Sequence, residues 1–284
     1  MQAGTIRSNT LERYLNALLS GDRSACRAII EETLQSGVTA CQVYMDIIWP
    51  IMLEIERLYR EDRISSAQES LANRINRTIV DQLQNKLPRH PTRGRRVIIC
   101  SVAEETAELG GQMTADLFES DGWETRFLGG SVDNNDILQF VHEFRPDVLV
   151  LYGITAPHAP RIRQLIDHIR EVNAFPDMRI LLSGGVFGRA PGLWEEIGAD
   201  LYAPTAAEAV RIASAEDSEV PKPRRTIKRR KRAEIEEQRA RLADVAEVVA
   251  HRVPGPAAVV GALDHLAEPV GDLGRIEAIR IRGG

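Results

Sequence analysis

At 284 residues the chain is long enough for two domains of ordinary size, and its 43% hydrophobic and 27% charged residues are those of a globular protein in water. No stretch approaches the roughly 18 consecutive apolar residues of a membrane span, and the opening segment, residues 1–8, lacks the apolar core of a secretory signal. The net charge of −5 is unevenly spread: residues 221–284 hold 14 basic and 9 acidic side chains, so residues 1–220 carry −10 and offer a poor surface to nucleic acid.

Helices are predicted for the first 88 residues. Residues 10–19 form a short amphipathic segment with a Thr or Asn cap, ending at Gly21. In the next helix, 22 or 23 to 35, Cys26, Ile29, Ile30 and Leu34 share a face, and Gly37 stops it. Residues 40–60 gather Val43, Ile47, Ile51, Leu53, Ile55 and Leu58 on one side, with a kink or break at Pro50. Ser65 or Ser66 caps a last helix that stops before Pro88. Four or five helices with short connections make a bundle over residues 1–88. Residues 89–96, polar and basic with a proline among them, read as a linker.

Over residues 97–216 the pattern changes to strand–helix alternation. Val97–Val102 is a continuous apolar run, as a strand buried on both faces requires. Further strands are predicted at 124–128, 147–152, 179–183 and 200–203, separated by helices at 106–120, 134–144, 159–172 and 191–197, and followed by one at 205–215. The expected fold is therefore α/β: an N-terminal helical bundle followed by a flavodoxin- or Rossmann-like parallel five-stranded sheet, with a low-order tail over 217–284. Such sheets bind ligands outside the carboxyl ends of their strands. Cys26, Cys41 and Cys100 lie in apolar segments without a CxxC pair and read as buried reduced thiols, which places the chain in the cytoplasm.

Chemistry is sparse. Gly110, Gly129, Gly153, Gly184 and Gly185, with Ser183, cluster at predicted strand ends, where missing side chains let a ligand approach the backbone. Glu104, Glu105 and Glu108 form an acid cluster that reads either as acid–base groups or as partners of a helix dipole. His158 follows the third strand and is the one imidazole placed to reach the crevice as a metal ligand. No phosphate loop, nucleophile elbow or paired His/Cys spacing is present, so no catalytic residue and no dedicated metal site are assigned. Residues 222–232, rich in Lys and Arg, read as a solvated linker or as a phosphate contact without stacking aromatics.

Glu105-Thr-Ala107-Glu108-Leu109-Gly110 follows the first strand, forty-one residues separate Gly110 from Tyr152-Gly153-Ile154, and Ser183-Gly184-Gly185 closes the fourth strand. In these motifs residues 10–215 resemble the cobalamin-binding module of methionine synthase, of corrinoid methyl-carrier proteins and of cobalamin-dependent regulators. The resemblance implies a cofactor site at Glu105, Ala107, Gly110, Gly129, Tyr152, Gly153, Ile154, Ser183, Gly184 and Gly185, with Tyr59 and Glu69 of the bundle over the upper face. It also locates two departures. Ala107 stands where the family's His ligates cobalt, leaving Glu105 without an imidazole to orient, and Tyr152 stands where a Ser lines the tunnel for the cofactor's base. Ser70 likewise replaces an imidazole of the cap.

These departures argue against His-ligated, base-off cobalamin and leave three uses for the module. The first is a sensor or regulator binding cobalamin or a related tetrapyrrole without His ligation. The second is a cofactor-free scaffold for a protein partner or a second copy of itself. The third is a corrinoid methyl carrier. None is an enzyme in its own right, and none involves a membrane.

Overall fold

The protein is described by a computed structural model for residues 9–101, 108–154, 156–172 and 175–215, all within a compact unit spanning residues 1–225. The basic run at 222–232, the rest of the tail expected over 217–284, Glu104, Glu105 and Ala107 lie outside the described residues.

The bundle comprises α1 (Thr10–Leu19), α2 (Arg23–Gln35), α3 (Ala40–Val43), a π-helical turn (Tyr44–Ile48), α4 (Trp49–Arg60) and α5 (Ser66–Gln84). Side chains set several starts. The Asp22 carboxylate accepts from the Ala25 amide, while Thr39 with Gln42 and Ser65 with Gln68 form reciprocal capping boxes. Pro50 does not break its helix. It follows a π turn that merges into α4, so the ring's steric demand and its missing N–H are absorbed by widening the preceding turn. Leu53 departs from the expected apolar face and is 43% exposed, whereas Val43, Ile47, Ile51, Ile55 and Leu58 are buried. Cys41 is half-buried, unlike Cys26 and Cys100.

Residues 89–95 are not a free tether. The His90 and Arg93 amides donate to the Ser120 and Gly122 carbonyls, so the segment is laid against the end of α6 (Leu109–Ser120) before entering β1 (Arg96–Ser101). The remaining elements are β2 (Glu124–Gly129), α7 (Asn134–Phe144), β3 (Val148–Tyr152), α8 (Ala159–Val172), β4 (Arg179–Ser183), α9 (Gly185–Arg189), α10 (Leu193–Ile197), β5 (Leu201–Ala203) and α11 (Ala206–Ser214). The sheet is parallel throughout in the order β2-β1-β3-β4-β5. Its strand order reverses between β1 and β3, where a crevice forms. Alternate residues of β1 face opposite layers: Val97 and Ile99 pack with Phe118, Ala209 and Ala213, and Ile98 and Cys100 pack with Ile137, Ile162 and Leu165. A third cluster joins the bundle to the sheet, because Leu109, Met113, Leu117 and Tyr152 share a core with Tyr44, Ile47 and Ile79. Among the described residues no helix is long and apolar enough to cross a membrane.

Candidate functional site

The strand register builds a row at the carboxyl edge of the sheet. Ser101 of β1 pairs with Tyr152 of β3, Tyr152 with Ser183 of β4, and Ser183 with Ala203 of β5. Three of these four side chains are small, and the phenol fills the space they leave. Tyr152 is 2% exposed, and its Oη lies 2.0 Å from where a Cβ on Gly110 would stand. The ring thus lies against the first turn of α6 at the strand-order switch. Ser183 Oγ donates to the Ala203 carbonyl at 2.9 Å, whereas the buried Ser101 Oγ has no hydrogen-bond partner among the described residues.

Above this row a cleft of about 360 Å³ separates the bundle from the sheet, within the usual range of about 300–1,000 Å³ for small-molecule sites. Met52 and Leu53 of α4 and Leu109, Tyr152 and Ile154 of the α/β layer supply its apolar surface. Helix α5 supplies a polar wall, in which Glu69, Asn73 and Arg77 recur at four-residue spacing with Ser70 and Arg74 beside them. Two ion pairs cross from bundle to sheet at this cleft. Arg77 lies 3.4 Å from Glu108 Oε2, and Glu108 Oε1 accepts from the Gly130 amide at 2.5 Å. Glu56 of α4 pairs with Arg189 of α9, whose guanidinium also donates to the Ile154 carbonyl. Burial, and after it the nearby Glu56 carboxylate, raises the Glu69 carboxyl above its ordinary range.

Deeper in the same seam, the Tyr44 hydroxyl lies 2.9 Å from Asp116 Oδ2 and 3.0 Å from the Val80 carbonyl. Its single proton serves one of them at a time: while Asp116 is ionised, Tyr44 donates to it, and once Asp116 is protonated the acid donates to Tyr44 while Tyr44 donates to Val80. Asp116 is pushed up to about 6, first by burial and then by Glu119 and Asp81, against the lowering by hydrogen bonds from Tyr44 and Gln84. Burial also pushes the Cys26 thiol up to about 11 and Cys100 up to about 12, so neither presents a thiolate nucleophile at neutral pH.

Of the residues singled out from sequence, Glu69, Tyr152, Ile154 and Gly185 line the cleft. Tyr59 does not; it is 40% exposed on α4 and absent from the cleft wall. His158 is half-buried in a 3-10 turn, also outside the wall. The glycines at the strand ends have protein neighbours that account for them. A Cβ on Gly184, whose φ is +104°, would stand 2.2 Å from the Gly153 carbonyl oxygen, and one on Gly153 would meet Ile162 at 2.9 Å. These two glycines let β3 and β4 exits approach each other, and Gly110 admits Tyr152. Gly129 holds φ +69° next to Glu108, and Ser183 is spent on Ala203. Of the acid cluster, Glu108 is thus a cross-seam partner of Arg77 and the 129–130 turn. Sequence reasoning missed Met52, Leu53, Glu56, Asn73, Arg74, Arg77 and Arg189. The four-residue recurrence of Glu69, Asn73 and Arg77 was a readable signal; for Arg189 there was none, because its partners come from α4 and the end of β3.

Comparison with known proteins gives two family matches, both described as a B12 binding domain, one over residues 10–84 and one over residues 95–211. Monomethylamine corrinoid protein 1 of Methanosarcina mazei is 23% identical over 211 residues, covering 71% of this chain and 94% of that protein. Dimethylamine corrinoid protein 1 of Methanosarcina acetivorans is 22% identical over 210 residues, covering 73% and 97%. The solved monomethylamine corrinoid protein of Methanosarcina barkeri shares the fold, with a TM-score of 0.66 at 18% identity over 73% of this chain and 98% of that one.

Proposed function

Since the chain belongs to the B12-binding family through both its helical and its α/β module, we propose that it is a non-enzymatic corrinoid-binding protein that holds a cobalamin-type cofactor in the cleft between α5 and the sheet, with the cofactor's own base kept out of the protein. The observation that carries this reading is Tyr152. In the upper cleft Leu53, Leu109 and Ile154 offer apolar contact, and the polar wall of α5 offers partners for hydrogen-bonding substituents at its edge. The space below does not fit a buried base, because the phenol already occupies it against Gly110. Ala107 at the cobalt-ligating position agrees with that closure, since alanine has no lone pair to offer. A bound corrinoid supplies cobalt–carbon chemistry. The chain's part is to grip the ring between α4, α5 and the edge of the sheet.

Of the uses that remain, sensing fits this geometry best. The two ion pairs crossing the cleft tie the bundle to the sheet, and a ligand entering between them changes that contact. A protein partner reading the bundle's position then needs no imidazole ligand. The corrinoid-carrier reading is the second one, favoured by the methylamine corrinoid proteins among the relatives.

Loading the full-length protein with hydroxocobalamin and desalting tests the proposal. Corrin absorbance that travels with the protein in its base-on form supports it. Colourless protein refutes cofactor binding and returns the chain to the scaffold reading, and a base-off spectrum refutes the role given to Tyr152. Protection of α5 amides from hydrogen exchange upon loading supports sensing; efficient methylation of the reduced, loaded protein by a corrinoid methyltransferase supports carriage.

A further inference from the structure

Helices α5 and α6 run on past the cleft into a seam of different character. On α5 the cleft wall of Asn73 and Arg77 continues one turn later into Val80, Asp81 and Gln84. On α6 Leu109 is followed by Gln112, Asp116 and Glu119, which recur at helical spacing. Cleft and seam are thus successive stretches of one helix pair, about 10 Å apart for the seven residues from Leu109 to Asp116. The seam is acidic. Asp81 accepts from Gln112 Nε2 at 2.6 Å, and the buried Asp116 meets the Tyr44 hydroxyl of the π turn at 2.9 Å. Neither these two carboxylates nor Glu119 has an ion pair with another described residue. The other neighbours of α6 bring His90 and Arg93 from the 89–95 segment, Arg96 from β1, Glu124 and Arg126 from β2, and Glu208 and Arg211 from α11. The groups that act on the Asp116 carboxyl are instead Tyr44, Gln84, Asp81 and Glu119, and no cation is among them.

We propose that Asp116 is a proton-operated clasp between the bundle and α6, closed when the acid is protonated and loosened when it ionises. Protonated, it donates to Tyr44 and releases the Tyr44 proton to the Val80 carbonyl, and the seam holds two negative charges instead of three. Ionised, the carboxylate keeps the Tyr44 donor, but it is a buried charge on which Asp81 of α5 and Glu119 of its own helix both act. Moving α5 away relieves the burial and the repulsion from Asp81. Because α5 also carries the polar wall of the cleft, looser docking of α5 is looser closure of the cleft. The clasp belongs to the unloaded protein and holds whatever ligand the cleft takes.

Amide hydrogen exchange of the full-length, unloaded protein tests this, read by mass spectrometry between pH 5 and pH 7.5 and corrected for intrinsic rates. An undocked end of α5 is marginal as a helix in water, so amides 80–84 report the opening, and amides 180–183 of β4 report global unfolding. In the closed seam Asp116 titrates at about 6, and in the open one it returns to its ordinary 3.8. Closure is therefore fully stabilised below pH 4, and that stabilisation is lost as pH rises through 6. The opening constant at α5 accordingly rises about tenfold from pH 5 to pH 7.5. Asp116→Asn abolishes the rise and keeps opening at or below the native pH 5 level throughout. Asp81→Asn, at an exposed position where the fold is not at risk, moves the midpoint of the rise to lower pH. Four results overturn the clasp: pH-independent opening in the native protein, a rise that persists in Asp116→Asn, an unmoved midpoint in Asp81→Asn, or α5 amides as well protected as those of β4.

Discussion

If Tyr152 plugs the lower half of the site, the plug and Gly110 are energetically one object, and a double-mutant cycle measures it. A Cβ added at Gly110 would lie 2.0 Å from Tyr152 Oη and 2.5 Å from Cζ, where carbon neighbours settle at about 3.5–4.0 Å. The phenol is 2% exposed and fixed between Ser101 and Ser183 by strand register, so the clash is relieved only by moving the ring or α6. Overpacking of this kind costs about 1–3 kcal/mol. Gly110→Ala is therefore destabilising, although alanine inside a helix would otherwise gain up to about 1 kcal/mol over glycine. Tyr152→Ser alone leaves a cavity and costs about 3–5 kcal/mol, as for other large aromatics. In the double variant the new methyl enters vacated space, so Gly110→Ala becomes neutral or stabilising and the coupling amounts to about 2 kcal/mol or more. Urea unfolding followed by circular dichroism, with midpoint and slope fitted for all four proteins, gives the number. Equal cost of Gly110→Ala in both backgrounds would show that the ring does not occupy that space, and the exclusion of the cofactor's base would fall with it.

Other perturbations probe the seam and the sheet edge. Asp116 titrates at about 6 when folded, above its ordinary 3.8; a raised carboxyl contributes stability that is present below pH 4 and lost as pH rises through 6, at most about 3 kcal/mol for two pH units. Asp116→Asn, whose amide donates to Tyr44 as the protonated acid does, raises the melting temperature relative to the native protein at pH 7.5 but not at pH 4, and a pH-independent difference counts against the assignment. Gly184→Ala, which drives a Cβ into the Gly153 carbonyl from a left-handed φ, lowers stability by more than about 2 kcal/mol in the same urea assay; a loss under about 0.5 kcal/mol counts against the close approach of the two strand exits. Ser65→Ala removes a capping box and costs about 1 kcal/mol, and no change in the urea midpoint would mean that the start of α5 is held by packing alone. Arg77→Gln, at an exposed pair, costs less than about 1 kcal/mol and does so only at low salt; a salt-independent loss would point to a buried role for that arginine.

The fold was legible because each element follows one local rule. Val97–Cys100 and Val148–Leu151 are apolar without interruption, as double burial demands, and the amphipathic segments kept their periods. The π turn before Pro50 was not legible, since the widened hydrogen bonding that accommodates the ring leaves no mark on residue type. At the site the glycine cluster carried an ambiguous signal: a missing side chain accommodates either a ligand or another stretch of backbone, and Gly153 and Gly184 serve the second purpose. Tyr152 stood out only through the family resemblance, which sets it where a small Ser is usual; that its ring would pack against Gly110 could not be read from residue type. Arg189 was not recognisable, because nothing near it in sequence says that Glu56, 133 positions away, stands opposite.

The two pairs that bridge the seam have opposite polarity. At one the bundle gives the cation, Arg77, and the sheet the anion, Glu108; at the other the bundle gives the anion, Glu56, and the sheet the cation, Arg189. Such an arrangement works as a key with a single orientation. A bundle seated half a turn out of place about the docking axis would bring Arg77 toward Arg189 and Glu56 toward Glu108, exchanging two attractions for two repulsions. Each pair by itself contributes little to stability, but together they discriminate one seating of the helices from its reverse, which is a condition for a cleft whose two walls must meet the same ligand in register.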